Sequence, residues 1–220
     1  MIGKRASRRT TNARGAFSGW RAWPLAVLLA AIPLAAPAAE KWRVYENCTL
    51  VADYPSNDGD SFLVDCGKRS YLFRLYFVDA AETETSIAQR VQEQADYWDV
   101  PTGHVTGIGE AGKRFTAAFL KTPFTVCTRW EDAMGRSDRK RYFAVIKSGE
   151  RLLATELVRA GLARVYGVST DLPDGTPARA YGKTLHQAEE AAKKENIGAW
   201  KERKPERAPL KKPAPATAAR

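Results

Sequence analysis

The chain has 220 residues, 44% of them hydrophobic and 27% charged, with a formal net charge of +10; this suffices for one core of ordinary size and is too mixed in sign for wholesale disorder. The positive charge sits at the ends: residues 1–38 carry +6 and residues 201–220 carry +5, leaving −1 for everything between. A globular part with that balance excludes wholesale attraction to nucleic acid, so an anionic substrate has to be held by a local site.

Lys4, Arg5, Arg8, Arg9, Arg14 and Arg21, with no acid among them, precede the apolar stretch Trp23 to Ala39. That stretch ends in small residues and is shorter than the ~20 residues of a comfortable bilayer span. Residues 1–38 are therefore expected to be a secretory signal cleaved after Ala38, the alternative being a membrane anchor. Sec and twin-arginine export both stay open. The expected location is periplasmic or secreted, with no membrane association after cleavage. Residues 39–200 then form the domain, and 201–220, rich in Lys, Pro and Ala, read as a disordered tail.

Lys41 to Asp53, Phe62 to Cys66 and Tyr71 to Val78 are runs rich in Val, Leu, Phe and Tyr, separated by the turn sequences PSNDGD and CGKRS; three antiparallel strands are expected from them. Residues 83–109 include Ile87, Val91, Ala95 and Trp98 at helical spacing, which predicts a short extra helix, either a cover packed on the domain or a substrate-selecting lid. Glu110 to Leu120 places Ala111, Phe115, Ala118 and Phe119 on one helical face. The runs FTVCTRW and RYFAVIKSG read as strands around a charged loop, Asp132 to Lys140. Two further helices are expected, Leu152 to Ala160, stopped by Gly161, and Tyr181 to Asn196. The pattern is α+β: a five-stranded Greek-key β-barrel of OB type with three main helices, plus the short extra helix.

Chemistry concentrates in DGDSFLVDCGKRSYLFRLYFVDAAETET, Asp58 to Thr85. Asp58-Gly59-Asp60 is by itself a turn whose aspartates bond their own backbone. Asp79 and Glu82, however, end the adjacent strand shortly after Arg74. Carboxylates and an arginine within buried strands are costly unless paired or bound to a cation, and Asp60 and Asp79 offer hard oxygen ligands to Ca2+. His104 and His186 are too isolated for a zinc site or a triad base. Asn47-Cys48-Thr49 fits a glycosylation pattern of low specificity.

The order DGDS, FRLYFVDAAET, GEAGKRF, a charged loop before RYFAVI, then LVRAGLARV and AEEAAKKENIGAW resembles the staphylococcal nuclease (thermonuclease) family over roughly Val44 to Trp200. The resemblance implies a monomeric, calcium-dependent phosphodiesterase acting on DNA and RNA, single strands preferred. It puts the metal on Asp60, Asp79 and the backbone carbonyl of Ala80. Ala80-Ala81 stands where the family commonly has threonine-proline, so the loop lacks a rigid proline; with only two carboxylates, calcium affinity is expected in the weak regime of roughly 10⁻⁴ to 10⁻³ M. Glu82 falls on the general base, with Glu84 as its rival, and Arg74 on the first phosphate-binding arginine, a position equally suited to a structural salt bridge. The second arginine is Arg141 by strand position, three residues before Ala144, or Arg136 by its preceding glycine. Tyr166 falls on a base-stacking position, with Tyr142 and Tyr181 as further candidates. In the resembled barrel the first strand lies beside the one after the first helix, which points to a Cys48–Cys127 disulfide with Cys66 free; Cys48–Cys66 across the hairpin, or three thiols, are the alternatives. The leading expectation is an exported nuclease, and the alternative is a catalytically silent OB-type domain that binds nucleic acid.

Overall fold

In the computed structural model, which describes residues 41–135 and 139–202, the sheet begins with β1 (Arg43–Leu50), β2 (Ser61–Cys66) and β3 (Arg69–Leu75). β2 and β3 form a hairpin in register from Ser61↔Arg74 to Cys66↔Arg69, turning at Gly67, whose φ of +70° suits a residue without Cβ. The run expected as one strand to Val78 breaks at Phe77, which has a φ of +70°. Beyond the break the chain forms a separate strand, β4 (Val78–Ala80).

After two helices come β5 (Phe124–Asp132), β6 (Arg141–Ser148) and the short β7 (Arg151–Leu152). β1 pairs antiparallel with both β2 and β5, β5 with β6, and β6 runs parallel to β3. These pairings close β1, β2, β3, β6 and β5 into a ring, in keeping with the barrel expected of an OB-type arrangement. Phe62, Val64, Phe73, Leu75, Val126, Ala144 and Ile146 are buried in its core. A short strand that no periodicity announced, β8 (Ala163–Val165), pairs with β4 and sets Asp79 opposite Arg164.

The helices are α1 (Ala88–Trp98), α2 (Thr102–Phe119), α3 (Leu153–Arg159) and α4 (Ala178–Lys194), followed by a 3₁₀ turn, Gly198–Glu202. α2 starts eight residues before the expected Glu110. Its glycines cost roughly 1 kcal/mol each relative to alanine, but Val105 and Ile108 continue the buried face, and tertiary packing overrides propensity there. α1 is the extra helix. Val91, Ala95 and Trp98 pack with Ala81, Val105, Ile108, Ala192 and Trp200 into a second small core beside the barrel, so the helix is a packed cover.

The disulfide joins Cys48 to Cys66, and Cys127 is a buried free thiol, which corrects the expected Cys48–Cys127 pair. Register is the reason. β1 pairs with β2 at Thr49↔Asp65, so Cys48 and Cys66 stand directly across the hairpin, their Cα atoms 4.6 Å apart, within the range for a bridge. On the other side of β1, Cys127 pairs with Val44, and a register shift sets Cys48 against Phe124. The expected signal segment, the C-terminal tail from residue 203 and Arg136 lie outside the described residues. Among the described residues no helix is long and apolar enough to cross a membrane.

Candidate active site

The Asp58-Gly59-Asp60 turn is built by its own aspartate. Asp58 Oδ1 accepts the backbone N–H groups of Asp60 and Ser61 at 3.0 and 2.6 Å. Burial, and then the neighbouring Asp60 charge, push the Asp58 carboxyl well above its ordinary range. A glycine is required at 59 because a Cβ there would stand 2.7 Å from the Ala80 Cβ. Thr116 of α2 ties the turn down by donating to the Gly59 carbonyl at 2.7 Å. The expectation of a self-bonding turn therefore holds for Asp58.

Asp60 is aimed elsewhere. Its Oδ2 accepts the Ala80 N–H at 2.8 Å and lies 3.1 Å from Arg74 Nη2, while Ser61 Oγ donates to Oδ1 at 2.8 Å. Arg74 comes from β3 and bridges to Asp79 Oδ1 at 2.7 Å. The carboxylates of Asp60 and Asp79 hold the Arg74 guanidinium firmly protonated, Asp60 most strongly.

Asp79 is fully buried. Burial alone would raise its pKa, but Arg74, Arg90 and Arg164 together outweigh that and hold the carboxyl below its ordinary range. Arg90 Nη2 donates to Oδ1 at 2.8 Å; Arg164 Nε and Gln94 Nε2 donate to Oδ2 at 2.9 and 3.0 Å. Gln94 spends its whole amide here, since Nε2 also donates to the Ala80 carbonyl at 2.9 Å and Oε1 accepts the Glu82 N–H at 2.8 Å. Glu82 itself is partly exposed, and its Oε1 accepts from Arg90 Nε at 2.5 Å. α2 supports this loop from behind: a Cβ on Gly109 would collide with the Glu82 carbonyl oxygen.

Arg141 opens β6. The parallel register sets it opposite Leu72, with Arg74 opposite Phe143, so the pleat puts the side chains of Arg74 and Arg141 on one side of the sheet. Arg141 Nη1 donates to Ser61 Oγ at 3.2 Å, and its Nε and Nη2 donate to the Met134 carbonyl at 3.1 and 2.9 Å. A Cβ on Gly135 would collide with Arg141 Nη2, so this glycine makes room for the guanidinium. Burial first, then the nearby Arg74 charge, lower the Arg141 pKa. Two guanidiniums that repel each other across Ser61 form an anion-seeking pair.

Of the tyrosines, Tyr181 is core, its hydroxyl 2.8 Å from that of Thr155, and burial pushes its pKa up to about 12. Tyr142 packs edge-on against Trp130. Tyr166 is 55% exposed, with the Arg164 guanidinium 4.3 Å from its ring centroid. The structure thus gathers Asp60, Arg74, Asp79, Ala80, Glu82 and Arg141 in one place, with Tyr166 linked through Arg164. Glu84 is exposed beside Glu82.

A family model described as staphylococcal nuclease homologue matches residues 72–202. The chain belongs to this family. The matched span contains Arg74, Asp79, Glu82 and Arg141, and begins after Asp60. No curated protein matches the chain. The calcium that family resemblance implies meets a donor set that is already engaged: both Asp79 oxygens, the Ala80 carbonyl and Asp60 Oδ2 accept from protein groups. Among the described residues no three His, Cys, Asp or Glu side chains gather as a metal-ligating set. In this arrangement the residues do not fit the ion.

Sequence reasoning missed Arg90, Gln94 and Arg164. A signal existed for Gln94, the polar member of the buried face Val91, Gln94, Ala95, Trp98, since a buried amide needs partners. Arg90 stands one turn before it. Arg164 reaches Asp79 only through the β4–β8 pairing.

Proposed function

We propose that the protein is an exported nuclease that hydrolyses phosphodiester bonds of DNA and RNA, single strands preferred. The observation that carries this reading is the convergence of Arg74 and Arg141 from the parallel strands β3 and β6 on the Asp60–Ser61 corner, in a chain of the nuclease family. Planar guanidiniums suit a phosphoryl group, gripping it as charge builds on its oxygens in the transition state. Glu82, on the exposed side of the same cluster, is the base that takes a proton from the attacking water. Its carboxylate has to exchange the Arg90 contact for that water. Tyr166, exposed beside Arg164, provides a face for a base. The Cys48–Cys66 disulfide supports an oxidising, periplasmic or secreted location.

The test is cleavage of single-stranded DNA and RNA by the purified protein, compared with Glu82→Gln, Arg74→Ala and Arg141→Ala. Each variant is expected to lose roughly 10²-fold or more in rate. Undiminished turnover in Glu82→Gln, or in Arg141→Ala, removes that residue from the mechanism. One observation favours a second reading, a silent nucleic-acid-binding domain: Glu82 is held by Arg90. Salt-dependent binding of single strands without cleavage under any divalent cation would establish that reading instead.

A further inference from the structure

Asp79 presents one carboxylate to four donors, Arg74 Nη2 and Arg90 Nη2 on Oδ1 and Arg164 Nε and Gln94 Nε2 on Oδ2. A carboxylate has about four lone-pair sites, so none remains. Two of these donors, together with the donor to the Ala80 carbonyl and the one that holds Glu82, come from α1, the helix inserted between Glu82 and α2. The four donors differ in how freely they can leave. The Arg164 side chain is 5% exposed, that of Arg74 18%, and that of Arg90 33%; Gln94 is fully buried. Arg90 alone among them is well placed to move its charge into water.

We propose that Arg90 is the resident cation of this site: α1 holds its guanidinium on Asp79 and Glu82 where a divalent cation would bind, so that Ca2+ and the Arg90 contact exclude one another. The inserted helix thereby sets the cation affinity of the domain. Arg74, Arg90 and Arg164 already balance the three carboxylates Asp60, Asp79 and Glu82, so no net negative charge is left to attract an incoming ion. Removing Arg90 frees a lone pair on Asp79 Oδ1, frees Glu82 Oε1, and restores one unit of negative charge beside Asp60. The inference concerns cation occupancy only and is read without nucleic acid, so it stands or falls separately from hydrolysis.

The experiment is calorimetric titration of CaCl2 into the metal-free protein, Arg90→Ala and Arg90→Met, at about 0.1 M and about 0.5 M NaCl, a range over which exposed charges become screened and buried contacts much less so. The methionine variant keeps an unbranched apolar stem at this position and replaces the alanine variant if that one fails to fold by circular dichroism. Both variants are expected to bind one Ca2+ at least ~10-fold more tightly than the parent, with the gain kept at the higher salt. Equal or weaker binding in the variants overturns the proposal, as does absence of binding in all three proteins. A gain that disappears at the higher salt overturns it too, because that is the signature of a diffuse field and not of a shared ligand.

Discussion

Replacing Asp79 by asparagine keeps the shape of the side chain and removes the charge on which three arginines converge. Arg74 would retain Asp60 at 3.1 Å and Arg90 would retain Glu82 at 2.5 Å. Arg164 is the one left stranded. Among the described residues Asp79 is its salt-bridge partner, it is 4% exposed, and its Nη2 already lacks a hydrogen-bond partner. Removing one member of a buried pair costs about 3–5 kcal/mol, a large share of the 5–15 kcal/mol typical of a domain, and lowers Tm by roughly 10 °C in a domain of this size. The assay is urea unfolding followed by circular dichroism on Asp79→Asn, Arg164→Met and the double variant. The double is expected to recover much of the loss, since no buried charge is then left unpaired. Because the Asp79 pKa is lowered in the fold, its contribution is present above the ordinary carboxylate value and is lost as pH falls through the lowered value, so the gap between parent and Asp79→Asn should narrow in acid. A loss under about 1 kcal/mol, or a double variant as unstable as the sum of the singles, would refute the stranded-charge argument.

Asp58 has the opposite sign: its folded pKa is raised, so the ionised form costs stability at neutral pH. Asp58→Asn, which keeps the oxygen that accepts from residues 60 and 61, is expected to be more stable than the parent at pH 7, the advantage fading as pH falls toward the ordinary value of 3.8; a pH series of thermal melts reads it. Gly109→Ala drives a methyl toward the Glu82 carbonyl and should cost roughly 1–3 kcal/mol with a disproportionate fall in turnover, whereas unchanged kinetics would show that α2 does not position Glu82. Cys66→Ser should lose about 3 kcal/mol, given the 18-residue separation of the bridge. In the parent no thiol should react with a thiol reagent before unfolding and one should react after, because Cys127 is buried and burial raises its pKa.

The sequence by itself determined most of the elements and pointed to part of the charged cluster. Alternating apolar runs and turn residues mark β2, β5 and β6, the spacing of Val91, Ala95 and Trp98 marks α1, and the charges of Asp60, Arg74, Asp79 and Glu82 are too dense beside buried strands to be decoration. These are local signals, carried by side-chain periodicity and by the cost of burying charge. Only the tertiary structure decided who meets whom. The disulfide partner of Cys48 depended on a one-register match in β1–β2 against a shifted register in β1–β5, and neither register is written in composition. The extension of α2 through its glycines depended on a second core that Trp98 and Trp200 complete from distant parts of the chain. Above all, the electrostatic state of Asp79 depends not only on Arg74 but on Arg90 from α1 and Arg164 from β8, residues 11 and 85 positions away, because charges act through space and the fold, not the order of residues, sets that distance.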